Sequence, residues 1–341
     1  MPAHLPVVRS ASLNGYLELA QAHGLDAAAM LRRAGLHVRL LSDPETPIST
    51  QAVRQLLQDS AQASGQEDFG LQMAARRSLS NLGPISLVLK AEPSPRAALD
   101  TLCRYLRLLN ASLLTHLQER DGLLLISEDM LSEPGASLEQ SMQLAVGVMY
   151  RILGELLGPG WQPLWVAFRQ ERPHKPERFD RFFGTRVDFA AGYNGIVCRA
   201  QDLAAELPDR QPELVAFARH QLDDALARGG PGTQATVRQL ILALMPGGRC
   251  TAQQVAAHLG VDRRTLHRHL QREGSDFSQL LQAVRVETVR HQLAQSRRPL
   301  TEVATLLGFA SPSAFAYWFQ QSFGCSASRW RKTVAVAQPG G

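Results

Sequence analysis

The chain has 341 residues, 45% of them apolar, enough for about two domains with cores of their own and too apolar for a disordered polymer. Its net charge of +5 is unevenly placed: Arg249 to Lys332 hold 12 Arg or Lys against 5 Asp or Glu, a balance of +7, and residues 1–248 hold the other 24 and 26. Such a basic final quarter fits a surface that faces phosphates, because Lys and Arg displace condensed counterions; a solvated helical face is the alternative.

No signal peptide stands at Met1 to Ser10, and the most apolar long stretch, Leu144 to Leu157, is interrupted by Arg151 and Glu155. No membrane contact is expected, and a soluble, cytoplasmic protein is. The cysteines Cys103, Cys198, Cys250 and Cys325 are isolated, with no CxxC pair and no clustered histidine, which speaks against a zinc site or a disulfide framework. Buried thiols are the simpler expectation, with no metal and no cofactor. Neither HExxH, GxSxG, a Gly-rich phosphate loop nor a carboxylate cluster with a His partner occurs, so no enzyme is expected.

In chain order, helices are predicted at Leu13 to His23, at Asp26 to Ala34 with Gly35 as its C-cap, at Thr50 to Ser64 with Gly65, and at Pro95 to Asn110, where Ser94 is the cap and Pro95 the first helical residue. Strands are predicted at Leu113 to Gln118 and Leu123 to Ser127, flanking the hairpin signature Glu119-Arg-Asp-Gly122. Glu139 to Leu157 reads as a long buried helix and Leu164 to Arg169 as a short strand. Arg186 to Ala190 and Ile196 to Arg199 flank a second turn signature, Tyr193-Asn-Gly195. This half is a mixed α+β domain.

A boundary is predicted at Arg228-Gly-Gly-Pro-Gly-Thr233, which interrupts helical periodicity. The expected division is a domain at 1–228, a linker at 229–235, an all-α domain at 236–334 and a disordered tail at 335–341. After the linker, Thr233 or Thr236 caps a helix carrying Val237, Leu240, Ile241 and Leu244.

Two stretches 48 residues apart then share one skeleton: Val255-Ala256 with Leu259-Gly260-Val261, and Val303-Ala304 with Leu307-Gly308-Phe309. In each, Val-Ala lies on the buried face of a first helix and Gly supplies the left-handed angle of the turn. Leu266 and Leu270, and Phe315 and Phe319, then form an apolar stripe on each second helix. The first helix-turn-helix is placed at about 251–273, with Thr251 and Asp262 as caps, and the second at about 300–323, starting near Pro299, capped by Ser311-Pro312 and stopped by Gly324. Between them, Phe277 to about Gln295 is predicted as a linker helix of roughly 27 Å. Such a strut sets the two second helices on successive major-groove faces of a duplex, about 34 Å apart.

GVDRRTLHRHLQREG at 260–274, the strut with Arg285, and LTEVATLLGFASPSAFAYWFQQSFGCSASRWR at 300–331 resemble the DNA-binding domain of the AraC/XylS family of bacterial transcription regulators. The resemblance implies base reading by Arg264, His267 and Arg268 on the first recognition helix and by Ser313, Ala314 and Tyr317 on the second. Arg268 or Arg264 would make the bidentate guanine contact, with a phosphate contact as the other reading for each. Arg263, Thr265, Arg272, Arg298 and Ser311 are expected on phosphates. Tyr317 stands where the family commonly has Arg and lacks a guanidinium fork, so the second motif is expected to add less base-specific energy. Trp318 and Trp330 are expected in the core; Arg329 and Arg331 either anchor phosphates or pair within the domain.

GLDAAAMLRRAGL, DPETPIS, DFGLQMA and LGPISLVLKAEPSPRAALDTLCRYLRL resemble the N-terminal effector-binding or dimerisation domain of one AraC subgroup, found in regulators of catabolic operons. This implies a small-molecule effector and a homodimer that binds double-stranded DNA and works with RNA polymerase. A ligand-responsive activator is the expected function; a site-specific repressor and an architectural DNA binder are the alternatives. Arg76, Arg77, Tyr105, Arg107 and Arg169 are candidate pocket residues, with surface charge or core packing as the competing role for each. Some DNA-alkylation repair proteins carry an AraC-type domain beside a reactive Cys, but neither Cys103 nor Cys198 lies in a recognisable reactive context.

Overall fold

In the computed structural model, which describes residues 6–132, 136–207, 212–228, 233–245, 250–259, 261–295 and 299–336, the chain divides into two units, Met1–Gly229 and Gly230–Gly341. The first opens with β1 (Val7–Arg9), paired antiparallel with β2 (Pro47–Ser49), and between them lie α1 (Tyr16–Ala22) and α2 (Ala27–Arg33). The single helix expected from Leu13 is broken: a 3₁₀ turn at Ser10–Leu13 precedes Gly15, whose φ of 77° is left-handed, and α1 starts only after it.

α3 (Thr50–Ser64) is capped by the Ser49 hydroxyl, which accepts from the Ala52 N–H at 3.3 Å, and ends at Gly65 with φ 66°. α4 (Phe69–Ala75), α5 (Pro84–Lys90) and α6 (Pro95–Leu109) follow, α6 starting with the Ser94 cap and Pro95. β3 (Leu113–Arg120) and β4 (Leu123–Met130) form the expected hairpin, its two turn residues Asp121 and Gly122 both at positive φ as a tight hairpin turn requires. α7 (Glu139–Leu157), β5 (Trp165–Ala167), α8 (Glu177–Phe183), β6 (Val187–Asp188), β7 (Asn194–Arg199) and α9 (Pro212–Arg228) complete the unit.

The sheet order is β3-β4-β7-β5-β6, antiparallel except between β5 and β6. The second hairpin suggested by Tyr193-Asn-Gly195 is therefore absent: β6 pairs with β5 and β7 with β4 and β5, while Asn194 and Gly195 lie inside β7. Gly195 suits that central position because a β-carbon there would stand 2.3 Å from the Ile126 carbonyl oxygen. Leu124, Ile126, Ile196 and Cys198 from the sheet pack with Val146, Met149, Ile152 and Leu153 of α7 and Leu99, Leu102 and Tyr105 of α6 in one core. Tyr16, Leu31, Leu56, Leu57, Phe69 and Met73 form a second core among α1 to α4. Helix α9, which the sequence pattern did not reveal, is tied into this unit by Asp223, which accepts from Tyr105 Oη at 2.7 Å and Arg104 Nη2 at 2.9 Å.

The second unit is helical: α10 (Thr233–Leu244), α11 (Ala252–His258), α12 (Arg263–Arg272), α13 (Phe277–Gln295), α14 (Leu300–Leu306), α15 (Pro312–Phe323) and α16 (Ala327–Val336). α10 starts at Thr233, inside the stretch expected as linker, and α16 runs through Val336, past the expected start of the tail; 229–232 and 337–341 lie outside the described residues. Val237, Leu240, Ile241 and Leu244 of α10 are buried, as are Val284, Val289 and Leu293 of the strut α13. Among the described residues no helix is long and apolar enough to cross a membrane.

Candidate nucleic-acid interface

The two pairs α11–α12 and α14–α15 are the helix-turn-helix units. In the first, the Thr251 hydroxyl accepts from the Gln254 N–H at 3.2 Å and opens α11; Val255, Ala256 and Leu259 are buried. Gly260 lies outside the described residues. Asp262 caps α12, its Oδ1 accepting from the Thr265 N–H at 2.7 Å. That backbone hydrogen bond, helped by the Thr265 hydroxyl, holds the Asp262 carboxyl below the usual carboxylate range.

Leu266 and Leu270 are 2% and 0% exposed, so helical geometry sends Arg264, His267 and Arg268 to the opposite face, and all three are exposed. Gln271, also exposed, continues that stripe by the same i, i+3, i+4 spacing, which its position late in the helix had hidden. Exposed Arg263 and Arg272 flank the stripe on its two sides. Thr265 is different: half-buried, its hydroxyl donates to Asp262 Oδ2 at 3.1 Å, so it has no proton left for a phosphate oxygen.

In the second unit Ser311 caps α15 by accepting from the Ala314 N–H at 3.2 Å, which leaves its own O–H free to donate, and Pro312 occupies the first turn. Phe315 and Phe319 are buried; Ser313, Ala314 and Tyr317 are exposed, Tyr317 at 71%. Gln320 and Gln321 share that surface. No residue of α15 is charged, in contrast with the four arginines of α12. Arg298 lies outside the described residues.

The strut holds the second unit through contacts that pattern alone did not reveal. The Trp318 indole N–H donates to Gln282 Oε1 at 2.7 Å, and Gln282 Nε2 donates to Ser322 Oγ at 3.0 Å. Arg285 donates through Nε to the Leu307 carbonyl oxygen at 3.1 Å and stacks over Phe309 with its Cζ 4.4 Å from the ring centre. Trp318 and Trp330 are half-buried in an aromatic cluster with Phe315, Phe319 and Phe323. The first unit is anchored separately: Gln234 on α10 donates its N–H and side-chain amide to Glu273, at 2.8 and 2.6 Å.

In the N-terminal unit a cavity of about 150 Å³ opens between α3, α6, α7 and the end of β4. Of the five candidate pocket residues Arg77 lines it, donating through Nη1 to the Ala11 carbonyl at 2.8 Å and through Nη2 to the Ser12 carbonyl; burial lowers its pKa to about 10. The other four do not line it: Arg76 is exposed, Tyr105 and Arg107 bind α9 at Asp223 and the Leu226 carbonyl, and Arg169 pairs with Asp129. Burial pushes the Cys103 and Cys198 thiols up to about 12, far from thiolate formation at neutral pH. No cluster of metal-ligating side chains occurs among the described residues.

A family model described as the arabinose-binding domain of AraC transcription regulators, N-terminal, matches residues 24–207, and a helix-turn-helix domain model matches 255–333. The chain is 24% identical over 335 residues to the HTH-type transcriptional regulator VirS of Mycobacterium tuberculosis, covering 97% of this chain and 98% of that protein. It is 25% identical over 318 residues to the ornithine utilization regulator of Pseudomonas aeruginosa, covering 93% and 94%. Among solved structures, transcriptional regulator CdpR from Pseudomonas aeruginosa is similar at a TM-score of 0.45 and 20% identity, covering 94% of this chain and 96% of that one.

Proposed function

The chain belongs to the AraC family of DNA-binding transcription regulators, and we propose that it reads its operator chiefly through α12 while its N-terminal unit senses a small metabolite and joins two copies. The observation that carries the base-reading role is the exposed stripe Arg264, His267 and Arg268, opposite the buried Leu266 and Leu270. Arg264 or Arg268 reaches guanine O6 and N7, a contact worth about 1–3 kcal/mol of discrimination. Arg263 and Arg272, on the flanks, and the free Ser311 hydroxyl hold phosphates and set the register. Ser313, Ala314 and Tyr317 present neutral groups to the second half-site, where a thymine methyl suits them best.

The bound chain acts with RNA polymerase as an activator of a metabolic operon, and a relative named for ornithine utilization supports the metabolic assignment. The effector acts by its differential affinity for two arrangements of the dimer, since equal affinity would shift nothing. Selection of bound sequences from a random duplex library, with and without a metabolite mixture, tests both parts at once. One enriched site whose recovery changes with the mixture is expected. Arg268→Ala is expected to relax one base position of that site, whereas Arg272→Ala weakens all sequences alike. A site preference unchanged in Arg268→Ala removes α12 from base reading.

A further inference from the structure

The row of side chains that β4 turns inward is Leu124, Ile126, Glu128 and Met130, because alternate residues of a strand share a face. Leu124 and Ile126 are fully buried in the main core. The next inward position holds a carboxylic acid that is 2% exposed. Its strand neighbours, Thr115 and Asn194, do not satisfy it: Oε1 has only a long 3.5 Å contact from the Thr115 hydroxyl, and Oε2 has no hydrogen-bond partner. An unsatisfied acid at a core position is costly unless a partner arrives. Glu128 and Met130 both line the cavity, whose other walls are largely apolar, among them Leu57, Leu102, Leu106 and Ile152.

We propose that this cavity is the effector site and that it takes an uncharged, largely apolar molecule of about one ring bearing a single hydroxyl, which pairs with the Glu128 carboxyl. The proposal rests on the N-terminal unit being the effector domain. At about 150 Å³ the cavity matches the volume at which an apolar protein cavity of similar size takes benzene. Burial pushes the Glu128 carboxyl up to about 8, so at neutral pH it is a protonated acid that both donates and accepts, the two roles a hydroxyl complements. Charge argues against the alternatives. Arg77, which also lines the cavity, is a buried cation with no carboxylate partner among the described residues, which repels an amine. A carboxylate gains the Arg77 charge, two of whose N–H donors are taken by the Ala11 and Ser12 carbonyls, but loses its water against the apolar side chains of the cavity, a burial cost that offsets the ion pair.

Calorimetric titration of the full chain with phenol, its isostere toluene, benzoate and benzylamine tests the assignment. Phenol is expected to bind about tenfold or more tighter than toluene, a gap of about 1.4 kcal/mol, and tighter than either ion. Glu128→Leu, which extends the apolar row, is expected to keep toluene binding and bring the two ligands level; Glu128→Gln, which keeps a hydrogen-bonding group and guards against misfolding of the first variant, retains most of the preference. Equal binding of phenol and toluene, tighter binding of benzoate or benzylamine, a preference that survives Glu128→Leu, or no binding of any probe overturns the proposal. Duplex selection separates the two readings: enriched DNA without Glu128-dependent phenol binding removes only the ligand assignment, whereas phenol binding without any enriched duplex removes the regulator and leaves the cavity.

Discussion

Gly308 sits where the second helix-turn-helix changes direction, with φ at 71° and the position of a β-carbon 2.6 Å from the Met245 carbonyl oxygen. Two costs coincide there, a left-handed backbone and a clash with main chain that cannot swing aside. Gly274 has the same φ of 71° but open space around it, so it isolates the first cost. Gly308→Ala is expected to destabilise by about 2–4 kcal/mol and Gly274→Ala by about 1–2 kcal/mol in urea unfolding; equal losses would mean that Met245 yields freely. Glu128 allows a second expectation. The folded chain keeps its proton up to about pH 8, whereas the unfolded chain releases it near the ordinary 4.5, so this group makes stability fall as pH rises between those values, with no loss below them and no further change above. Glu128→Gln lacks that loss. Its stability relative to the parent is therefore expected to rise between about pH 5 and about pH 8 and to level off above, and a flat difference would show an ionised or solvated carboxyl. These two residues also differ in how legible they were. Gly308 repeats the place of Gly260 in a duplicated skeleton, but Ser127-Glu128-Asp129 is a polar run at a strand end, and which member faces inward depends on a register that pattern does not fix.

The two recognition helices are electrostatically unequal. α12 carries Arg263, Arg264, Arg268 and Arg272, while α15 carries no charge, and phosphate neutralisation is what gives binding its salt dependence. Removal of Arg263 or Arg272 is expected to reduce the slope of log K against log salt by about 0.9 each. Ser313→Ala is expected to change affinity without changing that slope. Tyr317→Arg supplies the missing fork: it is expected to steepen the slope by about 0.9 if it meets phosphate, or to enrich guanine at one position of the second half-site if it meets a base. A Tyr317→Arg variant indistinguishable from the parent in both measurements would place this face of α15 away from DNA. Elements with their own signals were legible at this scale. α6, α12 and α15 begin at Ser94, Asp262 and Ser311, whose side chains accept the expected N–H groups, and α13 spans the predicted residues. Pairing was not: β6 and β7 are near in sequence but are separated by β5 in the sheet. Local pattern also cannot reveal that the Thr265 hydroxyl is already committed to Asp262.

Each unit has a hydrophobic core built from its own residues, Leu124, Ile126, Val146 and Phe168 among those of the first, Val237, Ile241, Val284 and Val303 among those of the second. Cores that share no residues can lose their packing in separate steps, so the chain is expected to unfold in two transitions rather than one. The substitutions above identify them: Glu128→Gln should move one transition and Gly308→Ala the other. An operator duplex stabilises only the folded form of the unit that binds it, by about 2.7 kcal/mol when present at a hundred times its dissociation constant. Scanning calorimetry should therefore show the transition lowered by Gly308→Ala rising with added operator, while the transition moved by Glu128→Gln rises with an effector that fills the cavity. If effector also raises the DNA-bound transition, the two sites are coupled, and by linkage operator must tighten the effector to the same degree. A single transition that both substitutions and both ligands move alike would instead make the chain one cooperative body, and the division of labour between sensing and reading would have to be carried within it.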